Sequence, residues 1–126
     1  MSKHTIYIGI GTNLDDAGIV LSWTKRKLAV AFRGEQRFST PQKTVPVKFP
    51  STRMFTNQLV RIETAVPPIF IRPLLKNLER QFGRKPEDKA KGLVKLDLDL
   101  LCLDGQVLKA DDWERDYIIA ARSELD

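Results

Sequence analysis

The chain has 126 residues, 42% of them hydrophobic and 29% charged. That balance and length suit one globular domain with its own core, expected over residues 1–126. No apolar run approaches the roughly 18 residues that span a membrane, the first apolar stretch is too short for a secretory leader, and the single cysteine, Cys102, excludes an internal disulfide. A cytoplasmic protein is expected, and a net charge of +5 favours anionic partners such as phosphates or nucleic acid.

TIYIGIG (5–11) alternates and ends in glycine, which reads as a first strand. TNLDDAG follows, rich in turn formers and N-cap residues. From 15 to 32, Ile19, Val20, Trp23, Leu28 and Ala31 recur at helical spacing, and Gly34 is a natural stop. EQRFST (35–40) reads as a short strand. PQKTVPVKFPSTR (41–53) holds three prolines and no period, so a long loop is expected. MFTNQLVRIET (54–64) is the clearest alternating strand. After it, Leu74, Leu75, Leu78 and Phe82 form a helical stripe that starts either at Pro68 or at Pro73. In the first case Pro73 lacks a helical donor, at about 3 kcal/mol or a kink. A basic loop, 84–95, precedes the strand KLDLDLLCL. Asp104-Gly105 signals a two-residue hairpin with QVL returning, and ERDYIIAARSELD closes the chain as a short apolar strand or turn. This order predicts an α+β, ferredoxin-like sandwich, an antiparallel-rich sheet with helices packed on one face.

Asp97 and Asp99 carry the chemistry. Leu96, Leu98 and Leu100 alternate with them, so both carboxylates leave one strand face, with Cα atoms about 6.6 Å apart at about 3.3 Å per residue. Two like charges this close need a cation over them. Paired carboxylates are a natural seat for Mg²⁺, which takes oxygen ligands and is usually shared with substrate phosphates. Arg84, Lys85, Lys89, Lys91 and Lys95 stand just upstream, where they can hold a phosphate tail. A solvent-facing strand with two incidental acids reads the same way from Asp-Leu-Asp alone. No phosphate-gripping glycine loop is present, and neither a zinc spacing nor a Ser/His/Asp set can be built. His4, the sole histidine, is expected at the surface, and Cys102 among its leucines as a small buried residue.

Several stretches then line up with one family. YIGIGTNL (7–14), FTNQLVRIET (55–64), LLKNLERQFGR (74–84), LDLDLL (96–101) and RDYIIAARSEL resemble, in order, the motifs of 6-hydroxymethyl-7,8-dihydropterin pyrophosphokinase. The resemblance implies ATP and a pterin alcohol as partners, transfer of diphosphate in folate biosynthesis with release of AMP, and two Mg²⁺ ions. By position it implies that Asp97 and Asp99 hold both ions and, with Arg84, carry catalysis. It assigns Thr40, Pro41, Phe55, Asn57 and Tyr117 to the pterin, Phe55 and Tyr117 by stacking. Glu79, Arg84, Leu100 and Arg115 match ATP-side positions, and Lys91 and Lys95 offer charge there.

The chain departs from that family on the ATP side. The family's Trp-Gly-Pro-Arg-Thr is Lys91-Gly92-Leu93-Val94-Lys95 here, so Val94 stands where an arginine would grip phosphate. Pro86 replaces a second loop arginine, and KADDWERD replaces a Pro-His-Pro box. Lysine does not substitute for arginine at a bidentate phosphate site. A slow or rearranged enzyme is therefore expected, and a non-catalytic pterin- or nucleotide-binding relative is the alternative. An RNA-binding module is disfavoured, since KLDLDLL puts acids where phosphate would pass. The sequence leaves oligomeric state open.

Overall fold

The computed structural model describes residues 2–46 and 52–126. Positions 47–51 of the expected proline-rich loop lie outside them, and part of that loop is a strand. The strands are β1 (His4–Thr12), β2 (Gln36–Phe38), β3 (Gln42–Thr44), β4 (Phe55–Thr64), β5 (Asp97–Leu103) and β6 (Gln106–Val107). The helices are α1 (Ala17–Ala31), α2 (Pro68–Gln81), α3 (Ala110–Trp113) and α4 (Asp116–Leu125), and the basic loop holds a 3₁₀ turn, Pro86–Lys91.

All strand pairs are antiparallel, in the order β2-β4-β1-β5-β6 with β3 also on β4. The first strand thus sits between β4 and β5, with α1 and α2 as the crossovers. That is the expected split βαβ, α+β arrangement. Alternation builds the main core: Ile6, Ile8 and Ile10 of β1, Val60 and Ile62 of β4, and Leu98 and Leu100 of β5 meet Val20, Leu28 and Phe32 from α1 and its C-terminal end and Ile71, Leu75 and Leu78 from α2. Ile19, read as part of the inward stripe, is 66% exposed; Thr24 takes the inward place and donates to the Val20 carbonyl at 2.8 Å.

Helix α2 begins at Pro68 and runs through Pro73. The missing amide costs about 3 kcal/mol, which burial of Ile71, Leu75 and Leu78 offsets at about 1.5–3 kcal/mol each. Two expectations are corrected. The chain does not close in a strand or turn: Ile118, Ala121 and Leu125 are buried at helical spacing along α4. Helices also lie on both faces of the sheet, because these residues and Trp113 pack on Leu59, Leu101 and Cys102 from the side opposite α1 and α2. A register shift, with Tyr7 opposite Cys102 but Ile8 opposite Leu100, turns both Leu101 and Cys102 to that second cluster. Asp104 and Gly105 have φ of 49° and 82°, the two positive values a primed hairpin turn requires. His4 is not a free surface residue. It lies half-buried in β1 with Nδ1 2.7 Å from Asp104 Oδ2, which ties the hairpin to the sheet.

Candidate active site

The face of the sheet turned toward α4 is only partly covered, and its open part is built by register. Asn57, Gly11 and Asp97 form one row across β4, β1 and β5, and Leu59, Gly9 and Asp99 form the next. At about 4.8 Å between strands, Asn57 and Asp97 stand about 10 Å apart. The middle residue of each row is glycine, so no side chain of β1 fills the space between. A Cβ on Gly11 would come within 3.3 Å of Asn57 Oδ1, and one on Gly9 within 3.2 Å of Leu101 Cδ1. The result is a cavity of about 1060 Å³ over the strands, at the upper end of the range for small-molecule sites.

At one end of the floor lie the two carboxylates. Arg84 donates from one guanidinium nitrogen to Asp97 Oδ1 at 3.1 Å and to the Leu96 carbonyl at 3.2 Å, and lies 3.1 Å from Glu79 Oε2. Lys109 donates to Asp99 Oδ1 at 2.8 Å. Burial, then the neighbouring Asp99 carboxylate, pushes Asp97 up to about 7, against the pull of Arg84. Burial also works on Asp99, but its contact with Asp97 and the Lys109 ammonium hold it below the usual carboxylate range. The pair therefore shares a proton up to about neutrality, as expected for adjacent acids.

At the other end are Phe55, Asn57, Thr44 and Val45, with Tyr117 and Ile118 descending from α4. Asn57 Nδ2 donates to Thr44 Oγ1 at 2.6 Å, which fixes which way its amide faces. Burial raises the Tyr117 phenol, so it stays neutral. The cavity thus has an aromatic, amide-bearing end and an acidic, cation-flanked end. Six basic and seven acidic side chains line it, so the chain's excess positive charge is not concentrated there.

Of the residues expected at the site, Asp97, Asp99, Arg84, Phe55, Asn57, Tyr117, Glu79 and Arg115 line this one cavity. Glu79 does so as a buried group, 3% exposed. It accepts the Leu98 amide at 2.7 Å and faces Arg84, closing the free edge of β5 and aiming the guanidinium. Arg115 donates to Asp112 at 3.0 Å. Five expected residues stand outside the lining. The Leu100 side chain points into the main core. Thr40, next to Pro41, gives its amide and hydroxyl to Glu124 Oε1, both at 2.8 Å. Lys95 is engaged within the loop, 2.9 Å from the Gly83 carbonyl and 3.4 Å from Asp88, and Lys91 lies on the 3₁₀ turn.

A model of the 7,8-dihydro-6-hydroxymethylpterin-pyrophosphokinase family matches residues 7–126. The chain belongs to that family. Among curated proteins it is similar to the mitochondrial folate synthesis bifunctional protein of Arabidopsis thaliana, 28% identical over 135 residues, covering 98% of this chain and 24% of that protein. It is also similar to the folic acid synthesis protein FOL1 of Dictyostelium discoideum, 26% identical over 132 residues, covering 98% of this chain and 20% of that protein. The chain thus spans about a quarter or less of the length of these relatives. Among the described residues no helix is long and apolar enough to cross a membrane.

Asp97 and Asp99 are the residues here that could hold a divalent ion. Among the described residues no three acidic, histidine or cysteine side chains gather into a cage. Two carboxylates over an open cavity are what Mg²⁺ uses when substrate phosphates and water complete its shell. The sequence reading missed several residues. Lys76 and Arg80 of α2 line the cavity, and their spacing of four on a helix was a legible signal. Asn13 is buried, 2% exposed; it donates to the Gly92 carbonyl and accepts the Val94 amide, both at 2.8 Å, pinning the loop to β1. Lys109 is ten residues from Asp99 and reaches it only because the hairpin folds back, so no local pattern announced it.

Proposed function

We propose that this chain catalyses Mg²⁺-dependent transfer of diphosphate from ATP to 6-hydroxymethyl-7,8-dihydropterin. The observation that carries the reading is the arrangement of one cavity: Asp97 and Asp99 on its floor at one end, Phe55, Asn57 and Tyr117 at the other, in a chain of the pyrophosphokinase family. Phe55 and Tyr117 would hold the pterin ring by stacking, and Asn57 its hydrogen-bonding edge. Asp97 and Asp99 would hold two Mg²⁺ ions, which when bound supply charge neutralisation at the polyphosphate. Arg84, aimed by Glu79, and Arg115 would face the phosphates.

In the step itself, the pterin hydroxymethyl oxygen bonds to the β-phosphorus. The bond from that phosphorus to the α,β-bridging oxygen breaks, AMP leaves with the bridging oxygen, and the hydroxyl proton passes to water. No side chain is needed as a general base, so positioning and charge provide most of the acceleration. Incubation with ATP, Mg²⁺ and the pterin alcohol is the test, with AMP as the expected product.

One observation favours a second reading, binding without turnover. Val94, an apolar residue with its backbone pinned by Asn13, faces the cavity from the loop. Tight pterin or nucleotide binding with no AMP formed would select that reading.

A further inference from the structure

The two carboxylates come with their own cations, and the two cations are held differently. Arg84 has three acceptors within 3.2 Å: Asp97, Glu79 and the Leu96 carbonyl. It sits between α2 and β5 and is fixed. Lys109 is the residue just before α3, its side chain is 43% exposed, and among the described residues its ammonium has one hydrogen-bonded partner, Asp99 Oδ1 at 2.8 Å. A half-exposed lysine–carboxylate pair is weak and exchangeable, and the four-carbon stem lets the charge move without the backbone. Lysine is also a single compact charge, as a metal ion is. On a carboxylate oxygen the two compete for the same place.

We propose that Lys109 is a built-in counter-cation that pairs with Asp99 until a divalent ion takes its place. This rests on the reading that Asp97 and Asp99 seat such ions. A tethered competitor lowers the apparent affinity by the fraction of time it leaves the site free. A polyphosphate held beside Asp99, which lines the cavity, gives the displaced ammonium a new anion. Ion and nucleotide should therefore bind with strong mutual dependence, and the ion alone weakly.

The test is binding of Mn²⁺, followed by the spectrum of the free ion, to wild type, Lys109→Met and Lys109→Arg. Methionine keeps the apolar stem and removes the charge. Lys109→Met should bind Mn²⁺ without nucleotide about tenfold more tightly, and a non-hydrolysable ATP analogue should then improve Mn²⁺ binding less than in wild type. Lys109→Arg, which keeps a cation, should stay close to wild type. In wild type with ¹³C-methylated lysines, saturating Mg²⁺ should shift the Lys109 resonance. Unchanged or weaker Mn²⁺ affinity in Lys109→Met, including no binding by either protein, overturns the proposal. Tighter Mn²⁺ binding together with no AMP from ATP and the pterin alcohol leaves Lys109 in this role and fells the transfer reaction alone.

Discussion

The two faces of the same three strands make the most informative comparison in this molecule. On the face under α1 and α2, β1 presents Ile6, Ile8 and Ile10, each at most 1% exposed, and they knit into one apolar layer. On the other face the intervening residues are Tyr7, Gly9 and Gly11. Tyr7 packs edge-on against Trp113, 5.2 Å between ring centres, and joins the second cluster. The glycines leave a hole instead. Side-chain volume at alternate positions of one strand thus decides where the protein is solid and where it is open. The acids of β5 stand on the open side, so their charge costs the core nothing.

That contrast predicts opposite responses to substitution. Replacing both Asp97 and Asp99 with asparagine should lower AMP formation by about a thousandfold or more, since several charge-assisted contacts in the transition state are lost together. Thermal stability should hold or rise, because a crowded, partly buried acid pair is replaced by neutral amides. A double variant as active as wild type would separate the carboxylates from the chemistry. On the solid face, Ile8→Ala should cost about 2–5 kcal/mol in denaturant unfolding, from lost burial plus a cavity. A cost near zero would mean the apolar layer is far looser than its full burial implies.

How legible this was in the sequence follows the same division. Period-two alternation revealed the long strands, though not β3 inside the expected loop, and put Asp97 and Asp99 on one side, because that signal depends only on backbone geometry. Helical spacing likewise revealed the two long helices, whose apolar residues face a single sheet. It failed at α4. DYIIAAR has two adjacent isoleucines and reads as a buried strand, and only the second cluster on the far face makes Ile118, Ala121 and Leu125 a helical stripe. The site was half legible. The acids, Phe55, Asn57 and Tyr117 show through motifs, but the partners that tune them do not. Glu79 read as an ATP-side residue and is buried on the edge of β5. Lys95 looked like a phosphate ligand and is tied to Gly83 and Asp88. Such pairings arise from tertiary approach, which no local period encodes.

The open face should also show itself in pH dependence. Burial and Asp99 raise the Asp97 carboxyl to about 7 in the folded chain, against about 3.9 for an unfolded aspartate. Between those values the folded state holds more protons than the unfolded one. Stability contributed there is full at the acid end and declines as pH rises toward 7. With divalent ions chelated, Tm should fall over that window, and Asp97→Asn should flatten the slope. A slope that persists in Asp97→Asn would place its source elsewhere.

The smallest expected effect concerns the rim of the cavity. The Val94 amide bonds to Asn13 Oδ1 at 2.8 Å and its carbonyl takes the Asn13 amide at 3.0 Å, so the backbone is held while the side chain faces the cavity. Val94→Arg therefore changes what the loop presents without changing where it sits. One added charge-assisted contact to phosphate should tighten Mg²⁺–nucleotide binding by about tenfold, read by calorimetry beside a Val94→Leu control. Because acidic side chains already balance basic ones along this cavity, a new arginine has carboxylates as well as phosphate to choose from. If it pairs with Asp97, the gain in nucleotide affinity should vanish and Mn²⁺ binding should weaken instead. The sign of the Mn²⁺ change thus tells whether this wall has room for a phosphate grip or has been rebuilt around the cations it already holds.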